Sequence, residues 1–117
     1  YKRKSQLVSG AELYKGCAIA TSSWEFEDMR VAAAQAADEL LTIQGVKASF
    51  VLYQVGVDVS ISARSLGDVN VQLLLEEFGG GGHFTMAGAQ IRNRTIGEVR
   101  RALLKALDSK LEETMAR

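Results

Sequence analysis

Val57-Asp58-Val59-Ser60-Ile61-Ser62-Ala63-Arg64 alternates apolar and polar side chains without a break. A period of two belongs to a β-strand with one face toward a core. Val57, Val59, Ile61 and Ala63 take the inner face, and Asp58, Ser60, Ser62 and Arg64 the other. The run before it, Val46 to Gly56, carries Val46, Phe50, Val51, Tyr53 and Val55. Such β-branched and aromatic residues favour strands. The short junction at Gly56 suits a tight antiparallel hairpin.

Upstream of this hairpin, Cys17 to Thr21 reads as a short buried strand. Ser22-Ser23-Trp24-Glu25 has the form of a helix-capping box. Met29, Ala33, Ala36, Ala37 and Leu40 then recur at helical spacing, and Gly45 ends the unit. The small alanines permit close packing on a sheet. Residues Leu7 to Leu13 show neither period.

Downstream, Val71, Leu74, Leu75 and Phe78 form the stripe of a helix capped by Asn70 or Asp68. Met86 to Ile91 is a further strand. Thr95-Ile96-Gly97-Glu98 is a second capping box, opening a long helix with Ile96, Val99, Leu103, Leu107 and Leu111 inward. The order strand, helix, strand, strand, helix, strand, helix predicts an α/β fold, a mixed β-sheet with helices packed against it.

Between the second helix and the last strand lies Phe78-Gly79-Gly80-Gly81-Gly82-His83. A glycine run is often only a flexible connection. Here an amphipathic helix enters it and an apolar stretch leaves it. Glycines also let bare N–H groups line a concave anion site. The run ends in the only histidine, which can donate to a phosphate or stack on a base. Arg64, one helix earlier, supplies a forked and permanently charged donor. A surface ion pair, with Asp68 for instance, is its alternative role. A strand–helix–loop return brings Arg64 and the glycine run toward one edge of the sheet.

The chain has 117 residues, 47% of them apolar, enough for one domain with a real core. Fourteen basic and fourteen acidic side chains cancel, which removes the broad positive footprint that duplex nucleic acid requires. Tyr1-Lys2-Arg3-Lys4 reads as a solvated linker end. Cys17, the single cysteine, cannot form an internal disulfide, which suits a reducing compartment, and reads as a small buried residue. No apolar run is long enough to span a bilayer and no signal peptide is visible. The start at Tyr1 is expected to reflect excision from a longer protein.

The residues also exclude chemistries. One histidine and the scattered Asp28, Asp38, Asp58, Asp68 and Asp108 do not make a two-metal centre. One cysteine and one histidine give no zinc spacing. No serine sits in a nucleophile elbow, and no Lys-Ser/Thr follows the glycines as in a Walker loop. The chain is therefore expected to bind and orient, with no catalytic residue and no metal ligand of its own.

Gly80-Gly81-Gly82-His83 with Ala87-Gly88 resembles the GGGH-x-x-A-A-G signature of the DHH-associated domain, first subfamily. Three further stretches, Val59 to Val71, Ala34 to Leu41 and Ala48 to Leu52, resemble the GdpP-type cyclic-di-AMP phosphodiesterases. Met86 departs from the signature, standing where its first Ala belongs.

The resemblance implies a C-terminal lobe that holds substrate while a separate DHH domain with two metal ions, usually manganese, hydrolyses it. It implies residues 1–6 as linker from that upstream domain and 7–117 as the substrate-binding domain. It implies Gly80, Gly81, Gly82 and His83 as contacts to the nucleotide or its phosphate, with Arg64 and Ser62 as a second contact. The ligands implied are cyclic-di-AMP or pApA. The partners are the upstream DHH domain and a homodimer mate, with no duplex nucleic acid and no membrane contact. The parent implied is membrane-anchored, with this part cytoplasmic, and the lobe alone inactive. The alternatives are a lobe of a short-oligonucleotide phosphodiesterase or RecJ-like exonuclease, and a non-catalytic dimerisation module.

Overall fold

The computed structural model describes residues 2–25 and 27–116, with side chains described through Lys110. Its elements are α1 (Lys2–Ser9), β1 (Glu12–Tyr14), β2 (Cys17–Ser22), α2 (Met29–Leu40), β3 (Ala48–Val55), β4 (Asp58–Ser65), α3 (Val71–Glu76), β5 (Gly81–His83), β6 (Met86–Ile91) and α4 (Ile96–Ala116). The seven expected elements occur in the expected order. Three short ones, α1, β1 and β5, were not legible in the sequence.

The strands form a six-stranded mixed sheet in the order β1-β2-β3-β4-β6-β5. Only β2 and β3 are parallel, joined across α2. The remaining neighbours are antiparallel. The alternation that identifies these strands splits the core in two. Cys17, Ile19, Phe50, Leu52, Val59, Ile61 and Ala63 face α3 and α4, meeting Leu74, Leu75, Val99, Leu103 and Leu107. Ala18, Ala20, Val51 and Tyr53 face α2, whose Ala32, Ala33, Ala36 and Ala37 are buried against them.

Several local expectations need correction. Ser22 and Glu25 do not cap α2, which begins at Met29 after Asp28, without a side-chain cap bond. Ser22 Oγ accepts from Trp24 N at 3.2 Å in a local turn, and Glu25 Oε1 accepts from Gly56 N at 2.8 Å. Val57 does not share the inner face: it sits in the two-residue hairpin loop, 70% exposed, because Gly56 at φ 61° turns the chain before it. Helix α3 ends at Glu76 rather than Phe78. The basic start is not a merely solvated segment. Residues Lys2–Ser9 form α1, Leu7 is buried against the α2 cluster, and Lys4 pairs with Glu39 at 3.1 Å.

Other expectations hold. Asn70 caps α3, its Oδ1 accepting from Leu73 N at 3.1 Å. Thr95 and Glu98 form a reciprocal box, at 3.1 and 2.9 Å. Val99, Leu103 and Leu107 point inward, whereas the Leu111 side chain lies outside the described residues.

Candidate functional site

The glycine run is not the loop cradle that its composition suggests. Gly79, at φ 81°, follows the last turn of α3. Gly79 N–H donates to Glu76 O at 3.1 Å and Gly80 N–H to Leu75 O at 2.9 Å. This double bond pattern is a Schellman termination, which glycine favours because it needs a left-handed residue. Those two N–H groups are therefore consumed by the helix end. Gly81–His83 then forms the edge strand β5, paired antiparallel with β6.

Two of the four glycines are demanded by close packing. A Cβ on Gly80 would stand 2.5 Å from Ala89 Cβ and would strike Gly88 O. One on Gly82, at φ 149°, would stand 2.6 Å from Ala87 Cα and strike Met86 O. Gly81 is different. It has neither positive φ nor any atom within 4 Å of where a Cβ would be.

Strand register decides which residues meet. His83 pairs with Met86, Met86 with Arg64, and Arg64 with Ser49. Gly81 pairs with Gly88, Gly88 with Ser62, and Ser62 with Val51. Residues directly opposite one another on neighbouring strands share a face. Both rows thus lie on the α2 side of the sheet. Helix α2 covers the β2–β3 end of them, burying Ser49 and Val51. Beyond α2 the strip made by β4, β6 and β5 is uncovered: His83, Met86 and Gln90 are exposed, and Ser62, Arg64 and Gly88 half-buried.

The strip has a floor and two walls. Gly81, Gly88 and Ser62 form a floor with almost no side chain. His83, Met86 and Arg64 rise on one side; Gln90 and Ser60, paired across β6 and β4, rise on the other. The walls stand four residues apart along β6, about 13 Å. The hairpin carrying His83 is fixed at its turn, where Ser65 N donates to Thr85 O at 2.9 Å and Val71 N to Phe84 O at 3.1 Å.

Arg64 is the most constrained member. Its side chain is 12% exposed. Nε donates to Asp38 Oδ1 at 3.0 Å and Nη1 to Ala63 O at 2.9 Å. Asp68 is not its partner; Asp68 pairs with Lys47 at 3.6 Å. Four of the expected site residues, Arg64, Ser62, Gly81 and His83, come together on this strip, while Gly80 and Gly82 serve packing. Asp38, Met86, Gly88 and Gln90 were not singled out as contacts in the sequence. The alternation of Met86, Gly88 and Gln90 marks one face of β6 and was the available signal. Asp38 had none, since its contact spans two elements.

Elsewhere the chemistry is quiet. Cys17 is buried, and burial pushes its thiol up to about 11, so it is not a nucleophile. Among the described residues no cluster of His, Cys, Asp and Glu could hold a metal ion. No described helix is long and apolar enough to cross a membrane. A cavity of about 640 Å³, lined by Arg3, Thr21, Ser22, Ser23 and Trp24 among others, lies at the C-terminal end of β2. That is the opposite end of the sheet from the Arg64 row, which meets β2 at Ala18.

Residues 16–113 match the model of the DHHA1 domain. This chain belongs to the DHHA1 domain family. The DHHA1 chain is 44% identical over 111 residues to the cyclic-di-AMP phosphodiesterase PdeA of Listeria monocytogenes, covering 93% of this chain and 17% of that protein. It is 45% identical over 114 residues to the cyclic-di-AMP phosphodiesterase GdpP of Geobacillus thermodenitrificans, covering 96% and 17%. The chain thus spans about a sixth of these relatives' length. Its fold is that of an exopolyphosphatase-related protein from Bacteroides fragilis, with a TM-score of 0.75 at 24% identity, covering 96% of this chain and 34% of that one.

Proposed function

We propose that this DHHA1 chain is the substrate-binding lobe of a cyclic-di-AMP phosphodiesterase, and that the open strip of β4, β6 and β5 is its ligand face. The observation that carries the reading is the register. It lines up His83, Met86 and Arg64 beside a floor of Gly81, Gly88 and Ser62. An arginine beside exposed imidazole and backbone is a donor set for a phosphodiester. A floor with almost no side chain admits a planar base or a sugar–phosphate backbone at close range. The cyclic-dinucleotide assignment is supported by 44% and 45% identity to PdeA and GdpP.

Hydrolysis is assigned to a preceding DHH domain in the same protein. The metal ions that such chemistry uses do not fit the described residues of this chain, which offer no ligand cluster. What this chain supplies is positioning: Arg64 neutralises the phosphodiester, His83 donates to it or stacks on a base, and Gly81 and Gly88 set the approach distance. Preorganised donors of this kind act by holding the reacting phosphate in place.

The test is hydrolysis by the full-length protein with cyclic-di-AMP and with linear pApA. Arg64→Ala and His83→Ala are expected to lower kcat/KM by at least about tenfold, with the lobe still folded. Turnover unchanged in both variants would overturn the site. Cleavage of pApA alone would overturn the cyclic-dinucleotide assignment.

A further inference from the structure

We infer that Asp38 is the positioning residue for Arg64, so that helix α2 sets the aim of the guanidinium in the ligand face. The inference rests on the reading above that Arg64 contacts substrate. Arg64 Nε donates to Asp38 Oδ1 at 3.0 Å. Ser49, the partner of Arg64 in the β3–β4 register, is fully buried and donates its hydroxyl to Ala37 O at 2.6 Å. Ala37 immediately precedes Asp38. The turn of α2 that carries Asp38 is therefore pinned to the same row of the sheet as Arg64.

The Asp38 side chain is 64% exposed and that of Arg64 12%, so water screens the carboxylate more than the guanidinium. The pair also has a geometric effect, which is read apart from stability. An arginine side chain has many rotamers and loses that freedom on binding an anion. Asp38 on Nε and Ala63 O on Nη1 hold the guanidinium before any ligand arrives. Among the described residues these bonds use two of its five N–H groups, leaving one on Nη1 and both on Nη2 for an anion. A site arginine held by a partner behind it is preorganised, which raises affinity without a new ligand contact.

The test is steady-state cyclic-di-AMP hydrolysis by the full-length protein, with Asp38→Asn, Asp38→Glu, Arg64→Ala and the Asp38→Asn/Arg64→Ala double variant. Asp38→Asn is expected to raise KM roughly tenfold, with at most a small fall in melting temperature and a smaller effect on kcat. Asp38→Glu, which keeps the carboxylate, is expected to recover part of the loss. In the Arg64→Ala background Asp38→Asn is expected to add nothing. A KM within twofold of wild type for Asp38→Asn, while Arg64→Ala raises it, overturns the positioning role and leaves the ligand face standing. An equal effect of Asp38→Asn with and without Arg64 also overturns it, because the role would not run through Arg64. If Arg64→Ala leaves KM unchanged, or the wild-type protein does not hydrolyse the ligand, the reading of the face fails and this inference with it.

Discussion

Gly81 and Gly88 stand opposite each other across β5 and β6, and Gly81 has open space where a side chain would be. Its neighbours Gly80 and Gly82 have strand β6 in that position. One run of identical residues thus holds two kinds of glycine, required by the fold or tolerated by it.

Substitution separates the two kinds. Gly81→Ala is expected to leave stability unchanged or raise it by up to about 1 kcal/mol, since alanine restricts the unfolded chain and fits this backbone. Gly82→Ala is expected to cost about 2–3 kcal/mol through overpacking against β6. Urea denaturation of both variants checks this. Under the proposed function, Gly81→Ala also weakens ligand binding, because its methyl group rises from the floor beside Gly88.

The Thr95–Glu98 box closes the N-terminus of α4, whose Val99, Leu103 and Leu107 fill the core. Thr95→Ala is expected to cost about 1 kcal/mol. Leu103→Ala, at a fully buried position, is expected to cost about 2–5 kcal/mol. Equilibrium unfolding measures both, and the larger loss belongs to Leu103.

Acid acts through α4 as well. Asp108 accepts from Lys15 Nζ at 2.8 Å and from Tyr14 Oη at 2.7 Å. The Lys15 bond, then the Tyr14 bond, hold its carboxyl below the usual range. A carboxyl depressed in the folded state stabilises fully above its unfolded value, about 3.9. That contribution is lost as pH falls through the lower folded value. Glu98, depressed by its Thr95 bonds, acts in the same direction. Melting temperature is therefore expected to fall below about pH 4, and less steeply in Asp108→Asn. The check is a set of thermal melts from neutral pH into that range.

Cys17 offers an internal probe. A buried thiol pushed up to about 11 holds almost no thiolate at neutral pH. Maleimide labelling is expected to be slow and to accelerate with Leu103→Ala in step with the population of unfolded chain. Rapid labelling of the folded wild type would contradict the burial of β2.

The fold was legible wherever burial imposed a period. The alternation in β4 and the spacing in α2, α3 and α4 reported the two cores directly. Strands β1 and β5, three residues each, are too short to show a period, and β5 has no side chain before His83 to mark one. Thr95–Glu98 is a true box and Ser22–Glu25 is not, because Glu25 is drawn away to the β3–β4 turn at Gly56. The candidate site was half legible. Arg64, Ser62 and His83 carry their chemistry in their identity. The roles of Gly80, Gly82 and Asp38 are set by strand β6 and by the packing of α2, relations that no local pattern encodes.

Ligand binding on the strip is measured most directly by a ¹⁵N–¹H titration of this chain with cyclic-di-AMP, following the amides of β4, β5 and β6 and the Nε–Hε signal of Arg64. Saturable shifts are expected at Gly81, His83, Met86, Gly88 and Ser62 together with the Arg64 side chain, and little change around Trp24 at the far end of the sheet. No saturable shift on the strip, or shifts gathered at the cavity beside Trp24, would contradict it.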